Sequence, residues 1–250
     1  MVRKNFYTSE IANSLEVVKI GFQALADAAA QSQSRFAWVV TNSKWNLDGF
    51  VADLIGATAV KTLQKGNEVG FFKGCSLQFF HEKAVPSSAN GSAVLACFPN
   101  QKLMQKVDAI ADVPVLIALP WSLADIQPWL LAHGAEDLLK SGSVTPAEIS
   151  NPVVEQALVS MFFLINTSTG IIHPSDKATV IGIFTTLREG NEHYDPQKVG
   201  AWFVQKGMDG KHASEIVAVA ADPTGFRASS GGKTWGPEDL KRWRAQARVP

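Results

Sequence analysis

Residues 93–98 read AVLACF and residues 113–119 read VPVLIAL, and neither run contains a charged side chain. The first is closed by Pro99–Asn100 and the second by Pro120–Trp121, while Leu103, Met104, Val107 and Ile110 recur between them at helical spacing. Strands without polar alternation are buried on both faces, and two of them joined through a helix make the βαβ unit of a parallel sheet. Seven charged residues fall between Ala84 and Lys140 (Lys102, Lys106, Asp108, Asp112, Asp125, Glu136 and Asp137), all outside the two strands. The centre of the chain therefore reads as α/β.

Upstream, Ser9 is expected to cap a long first helix running to about Gln31. Its apolar positions Ile11, Leu15, Val18, Phe22, Leu25 and Ala29 alternate steps of four and three, a heptad seam that either pairs two chains or packs on its own sheet. Phe36–Val40 reads as a buried strand and Leu47 to Leu63 as a second helix, with Gly66 where a C-cap glycine belongs. Val69–Phe72 and Leu77–Phe80, turned at Lys73–Gly74, form a hairpin candidate. Downstream, Leu123, Ile126 and Leu130 mark another helix, and the sequence SGSVTP after Lys140 marks a linker. Beyond it strand signals vanish. Asn151–Pro152 and Asp195–Pro196 are cap-plus-proline helix starts. Helices are expected through Ala157–Ile165 (apolar nearly all round), over Ser175–Arg188, after Pro196, over Lys211–Ala221 and over Pro237–Ala247. The Gly/Ser-rich stretch Thr224–Gly236 reads as a mobile connection. The expected fold is a small, mostly parallel sheet flanked by helices with an added hairpin, followed by an all-helical part. The expected domains are residues 1–140 and 145–250.

The chain has 250 residues, of which 46% are hydrophobic, 18% charged and 9% aromatic, which excludes a disordered or low-complexity protein. Basic and acidic residues balance at 23 each, so no net charge advertises nucleic acid or an anionic membrane. The two cysteines, Cys75 and Cys97, lie in apolar stretches and read as free buried thiols. No apolar stretch follows Arg3 and Lys4, so no secretory leader is expected, and no apolar block approaches the ~20 residues of a membrane span. These features lead to a cytoplasmic expectation without a membrane partner.

Neither a dinucleotide fingerprint nor a phosphate-binding P-loop occurs, and there is no nucleophile elbow. The histidines, His81, His133, His173, His193 and His212, have no metal-ligand spacing, so no metal site and no catalytic residue is assigned, and the cofactor is left open. His173 beside Asp176 has the outline of a held proton shuttle, or simply of helix-entry chemistry. A doubly wound sheet does offer a crevice beyond the carboxyl ends of its strands. Asn42, Asn100, Trp121 and Ser122 stand at those ends as ligand-binding candidates, Asn100 and Ser122 also as ordinary helix caps. Trp121 and Trp45 could stack on a flat ligand, or serve with the other five tryptophans as core filler. In the tail, Arg227, Lys233, Lys241, Arg242, Arg244 and Arg248 outnumber Asp222, Glu238 and Asp239 by three. Lys241, Arg242 and Arg244 are the candidate nucleic-acid contacts, although the helix KHASEIVAVAA lacks the Arg, Lys, Asn or Gln face of a reading helix.

Three functions follow as expectations. The first is a non-catalytic binding or adaptor module engaging a protein partner or a second copy. The second is a protein or enzyme that binds a small anionic or nucleotide-like ligand at the strand ends. The third, weakly supported, is a DNA-binding regulator acting through its helical part.

Overall fold

The two uncharged runs form adjacent, parallel inner strands, with Val94 opposite Leu116 and Ala96 opposite Ala118. These positions belong to a computed structural model that describes residues 3–227 and 234–248. By its internal contacts the chain divides into two compact units, Met1–Thr145 and Pro146–Pro250.

In the first unit the elements run β1 (Lys4–Tyr7), α1 (Leu15–Ser32), β2 (Phe36–Thr41), a 3-10 turn at Lys44–Leu47, α2 (Phe50–Ile55), α3 (Ala57–Gln64), β3 (Val69–Phe72) and β4 (Cys75–His81). They continue with a 3-10 turn at Glu82–Ala84, β5 (Ala93–Cys97), α4 (Gln101–Asp108), β6 (Val115–Leu119), α5 (Leu123–His133) and β7 (Glu136–Asp137). The seven strands lie in the order β3-β4-β2-β5-β6-β1-β7, all parallel except the β3–β4 hairpin.

Side chains alternate across the pleat. Val39, Leu95, Ile117 and Leu119 pack with α1, α2 and α3, whereas Trp38, Val94, Ala96, Leu116 and Ala118 pack with α4 and α5. From β2 the chain winds toward β4 with helices on one face, and from β5 it winds the other way toward β6 with helices on the opposite face. The crossover handedness of parallel strands requires that change of face. β2 and β5 are neighbours in the sheet, so the strand order reverses between them, and this reversal is the topological switch point of the sheet.

Two local expectations are corrected. The first helix starts at Leu15, not near Ser9: Ser14 is the N-cap, its hydroxyl accepting from Val17 N at 3.3 Å. Residues 4–7 are instead a strand lodged between β6 and β7. Strand pairing wins here because β6 and β7 offer KNFY a hydrogen-bonding edge on each side, and Phe6 packs against the core. The heptad seam, including Val18, Phe22, Leu25 and Ala29, is buried in the core of its own unit and is not offered to a second chain. Gly21 sets how close this helix comes, since a Cβ there would lie 2.5 Å from Leu119 Cδ1. The second helix is not continuous from Leu47 to Leu63. It breaks at Gly49 (φ 77°) and Gly56 (φ 91°), left-handed backbone that L side chains rarely adopt. The hairpin, α4 and α5 form where expected.

The second unit is helical: α6 (Pro152–Phe162), α7 (Pro174–Glu189), α8 (Pro196–Gln205), α9 (Gly210–Ala221), a 3-10 turn at Pro223–Gly225 and α10 (Pro237–Gln246). Asn151 Oδ1 accepts from Val153 N and Asp195 Oδ1 from Gln197 N, with proline at the first helical turn of each. The core gathers Leu158, Met161, Ile183, Phe184, Phe203, Ile216 and Trp243, all buried. α6 ends before the apolar run does, which leaves Phe163 80% and Leu164 54% exposed. Within the Gly/Ser-rich stretch expected to be mobile, residues 228–233 lie outside the described residues.

Candidate functional site

The strand ends at the switch point are held by one side chain. Asn42, just beyond β2, donates Nδ2 to Phe98 O at 2.6 Å, while its Oδ1 accepts from Asn100 N at 3.3 Å. Phe98 N also donates to Leu119 O at 2.8 Å, so the turn after β5 is tied to both neighbouring strands. These bonds keep Phe98 at φ 55°, an uncommon backbone for a bulky residue and one that recurs at functional sites. Asn100 is committed to its helix, with Oδ1 accepting from Leu103 N at 2.8 Å. On the other side of β2, Asn46 Oδ1 accepts from Ser43 N (2.9 Å) and Ser43 Oγ (2.8 Å), folding the 3-10 turn that lifts Trp45 into solvent. Gly49 then turns the chain back into α2.

Together these segments surround a cavity of about 560 Å³, lined by Asn42, Trp45, Asn46, Asp48, Gly49, Phe50, Asp53, Phe98, Asn100, Trp121 and Asp125. Three of the four ligand candidates from the sequence (Asn42, Asn100 and Trp121) meet there. Ser122 does not line the cavity, and its side chain makes no cap bond. Trp45 and Trp121 are 78% and 57% exposed, the largest exposures of any tryptophan described. Trp121 is steadied edge-to-face on Phe98, with ring centroids 5.5 Å apart at 80°.

The electrostatics of the cavity were not legible beforehand. Its lining carries three carboxylates, Asp48, Asp53 and Asp125, and no lysine, arginine or histidine. None of the three forms an ion pair among the described residues. An anion in this cavity would meet these carboxylates, whereas a cation or a neutral hydrogen-bonding group would not be repelled by them. Asp125 lies in the first turn of α5, where a carboxylate also complements the macrodipole, and that ordinary role hid it in the sequence.

A smaller cavity of about 310 Å³ adjoins the first, sharing Asn42 and Trp45 with it, and adds Ser43, Lys44, Gln64, His81 and Lys83. Lys44 Nζ donates to Gln64 O at 3.0 Å, and Gln64 Nε2 donates back to Lys44 O at 3.0 Å. His81 Nδ1 accepts from Lys83 N at 3.3 Å, which in the neutral ring leaves the proton on Nε2.

The family comparison falls on the other unit. Residues 150–244 match the model of a domain of unknown function, DUF1889. No curated protein and no solved structure matches the chain.

Within that helical unit the nucleic-acid candidates are mostly engaged. Arg242 Nη2 pairs with Asp239 at 2.9 Å; Arg244 pairs with Glu192 and donates to Gly190 O, both at 2.9 Å. Lys241 is exposed, and Lys233 lies outside the described residues. The helix KHASEIVAVAA turns His212, Ala213, Ile216, Val219 and Ala220 into the core. His173 Nδ1 contacts Ser175 Oγ at 3.0 Å and Ser175 Oγ donates to Asp176 Oδ1 at 3.2 Å, so the histidine and the carboxylate are linked through the serine and not directly, while Asp176 Oδ2 accepts from Asn166 N at 3.1 Å. Cys75 and Cys97 are free and buried, and burial pushes both thiols up, away from the reactive thiolate. Among the described residues no group of three metal-ligating side chains occurs, and no helix is long and apolar enough to cross a membrane.

Proposed function

We propose that the α/β part, residues 1–140, and the helical part, residues 145–250, are separate domains, and that the first is a small-molecule binding domain. Its site is the crevice at the switch point, and its ligand carries a positively charged group. One observation carries the reading: a cavity at the strand-order reversal pairs two solvent-facing indoles with three carboxylates that have no internal cation. Open α/β sheets bind ligands at this place, and a cation over a tryptophan face gains roughly 0.5–2 kcal/mol. The uncommitted groups are Trp121, Trp45, Asp53 and Asp125, whereas Asn42 and Asn100 shape the walls. Free buried cysteines support a reducing, cytoplasmic setting.

Titration of tryptophan emission with choline and agmatine tests this. Saturable binding of at least one is expected, weakened about tenfold by Trp121→Ala, equivalent to about 1.4 kcal/mol. Because Trp121 is more than half exposed, the variant's melting temperature should match the wild type. No saturable response to either cation, or an unchanged affinity in Trp121→Ala, defeats the proposal.

A second reading, that the helical unit docks a protein partner, is favoured by three exposed apolar side chains in one short stretch of chain: Phe163, Leu164 and Ile172 are 80%, 54% and 70% exposed. Large apolar side chains grouped on a surface mark interaction sites. If self-association is the use, sedimentation of the wild type shows a dimer that the double substitution Phe163→Ser, Ile172→Ser dissolves. A wild type that is monomeric up to high micromolar concentration removes the second copy as the occupant.

A further inference from the structure

We infer that the ligand is dipolar, with its cationic group in the acidic crevice and an anionic group, carboxylate or phosphate, in the adjoining basic cavity. This rests on the binding site proposed above and adds the second half of the molecule it holds. The two cavities share Asn42 and Trp45 in their linings, so they lie side by side at the strand ends, within reach of one molecule laid across Trp45. Their charges are opposite: Asp48, Asp53 and Asp125 lie on one side, Lys44 and Lys83 on the other.

Such charges could simply pair with each other, but they do not. No ion pair joins Lys44 or Lys83 to any carboxylate among the described residues, and Lys44 spends its ammonium on a backbone carbonyl. The neighbouring lysines behave otherwise, since Lys102 and Lys106 both pair with Glu82, at 2.6 and 3.6 Å. Trp45 stands on the border with its ring uncovered, placed to lie along the middle of a molecule that spans both compartments. A ligand with one positive and one negative end satisfies both walls. A purely cationic ligand leaves the lysines unused, and a purely anionic one of the same length meets the carboxylates.

Two matched pairs of probes separate the halves. Nα-acetylarginine and Nα-acetylagmatine share a guanidinium and differ by a carboxylate; phosphocholine and choline share a quaternary ammonium and differ by a phosphate. Calorimetric or fluorescence titration of the full chain should show the dipolar member binding about three- to tenfold tighter in at least one pair. Whichever pair shows the gain names carboxylate or phosphate as the anionic group. Lys83→Ala should abolish the gain while leaving the cation-only affinity within about twofold, and Asp125→Asn should weaken both members of the pair. Equal affinity within both pairs overturns this inference and leaves the cation site standing. A gain that survives both Lys83→Ala and Lys44→Ala overturns it as well. Failure of all four probes to bind overturns both proposals.

Discussion

Replacing Trp243 by alanine is expected to destabilise the helical unit by about 3–5 kcal/mol, the range for removing a buried aromatic side chain. Trp243 is the largest of the fully buried side chains, at 0% exposure. Its ring stacks on Trp235, with centroids 5.7 Å apart at 22°, and its Nε1 donates to Ser160 Oγ on α6 at 3.0 Å. Alanine therefore leaves a large void and removes the hydrogen bond between α10 and α6, while the Ser160 hydroxyl keeps Gln156 O as its acceptor at 2.9 Å. Two milder variants apportion the loss. Trp243→Phe keeps most of the apolar volume and gives up the hydrogen bond, so it should cost less than half as much. Ser160→Ala removes that bond's acceptor together with the Ser160 Oγ bond to Gln156 O at 2.9 Å and should cost about 1–3 kcal/mol. Urea denaturation of the full chain, followed by far-ultraviolet circular dichroism, checks the order. A Trp243→Ala loss below that of Ser160→Ala would show that α10 is not anchored by this ring.

Replacing Asp108 by alanine is the second large effect, about 3 kcal/mol at neutral pH, because it removes one member of a mostly buried charged group. Asp108, at the end of α4, receives the Arg3 guanidinium on Oδ1 and His133 Nε2 on Oδ2 at 2.9 Å; Arg3 Nη1 also donates to Asp108 O at 2.9 Å. Burial alone would raise the carboxyl's pKa, but the hydrogen bond and charge of His133, with the charge of Arg3, outweigh it and hold the group below its ordinary value. A carboxylate whose folded value is depressed contributes stability above its unfolded value of about 3.9 and loses it as pH falls through the lower folded value. The difference between wild type and Asp108→Ala should therefore persist through neutrality and be lost only below about pH 4. Denaturant midpoints measured at neutral pH and near pH 3 test this. A difference that already fades between pH 8 and 6 would place the titrating group elsewhere.

This ionic group fastens β1, the element least visible in the sequence. KNFY has no apolar run, and its burial depends on edges supplied by β6, more than a hundred residues away, and by β7. Local pattern cannot register such pairing, so the first apolar spacing, from Ile11, reads as the start of the helix. The inner strands behaved oppositely: AVLACF and the second half of VPVLIAL carry their burial in their own composition. The break of the second helix was signalled by Gly49 and Gly56 but overridden by the apolar face of Leu47, Val51 and Leu54. That break matters most for the site, because it forms the loop bearing Trp45, Asn46 and Asp48. Asn42, Asn100 and Trp121 were locatable from proline-closed strands and a general rule about sheet crevices. Asp53 and Asp125 were not, since an aspartate in a first helical turn is commonplace, and only the fold shows two of them facing one space.

The inner position of β1 has a bearing on synthesis. Residues 4–7 leave the ribosome before one of their neighbours in the sheet, residues 115–119, which is made more than a hundred residues later. Loop closure over that separation makes the last pairing slow, because its entropy is lost before contacts compensate for it. Until then the nascent chain carries an unmatched hydrogen-bonding tetrapeptide, and β6 lacks its outer neighbour. Both are openings for chaperones or for mispairing between polypeptides on adjacent ribosomes.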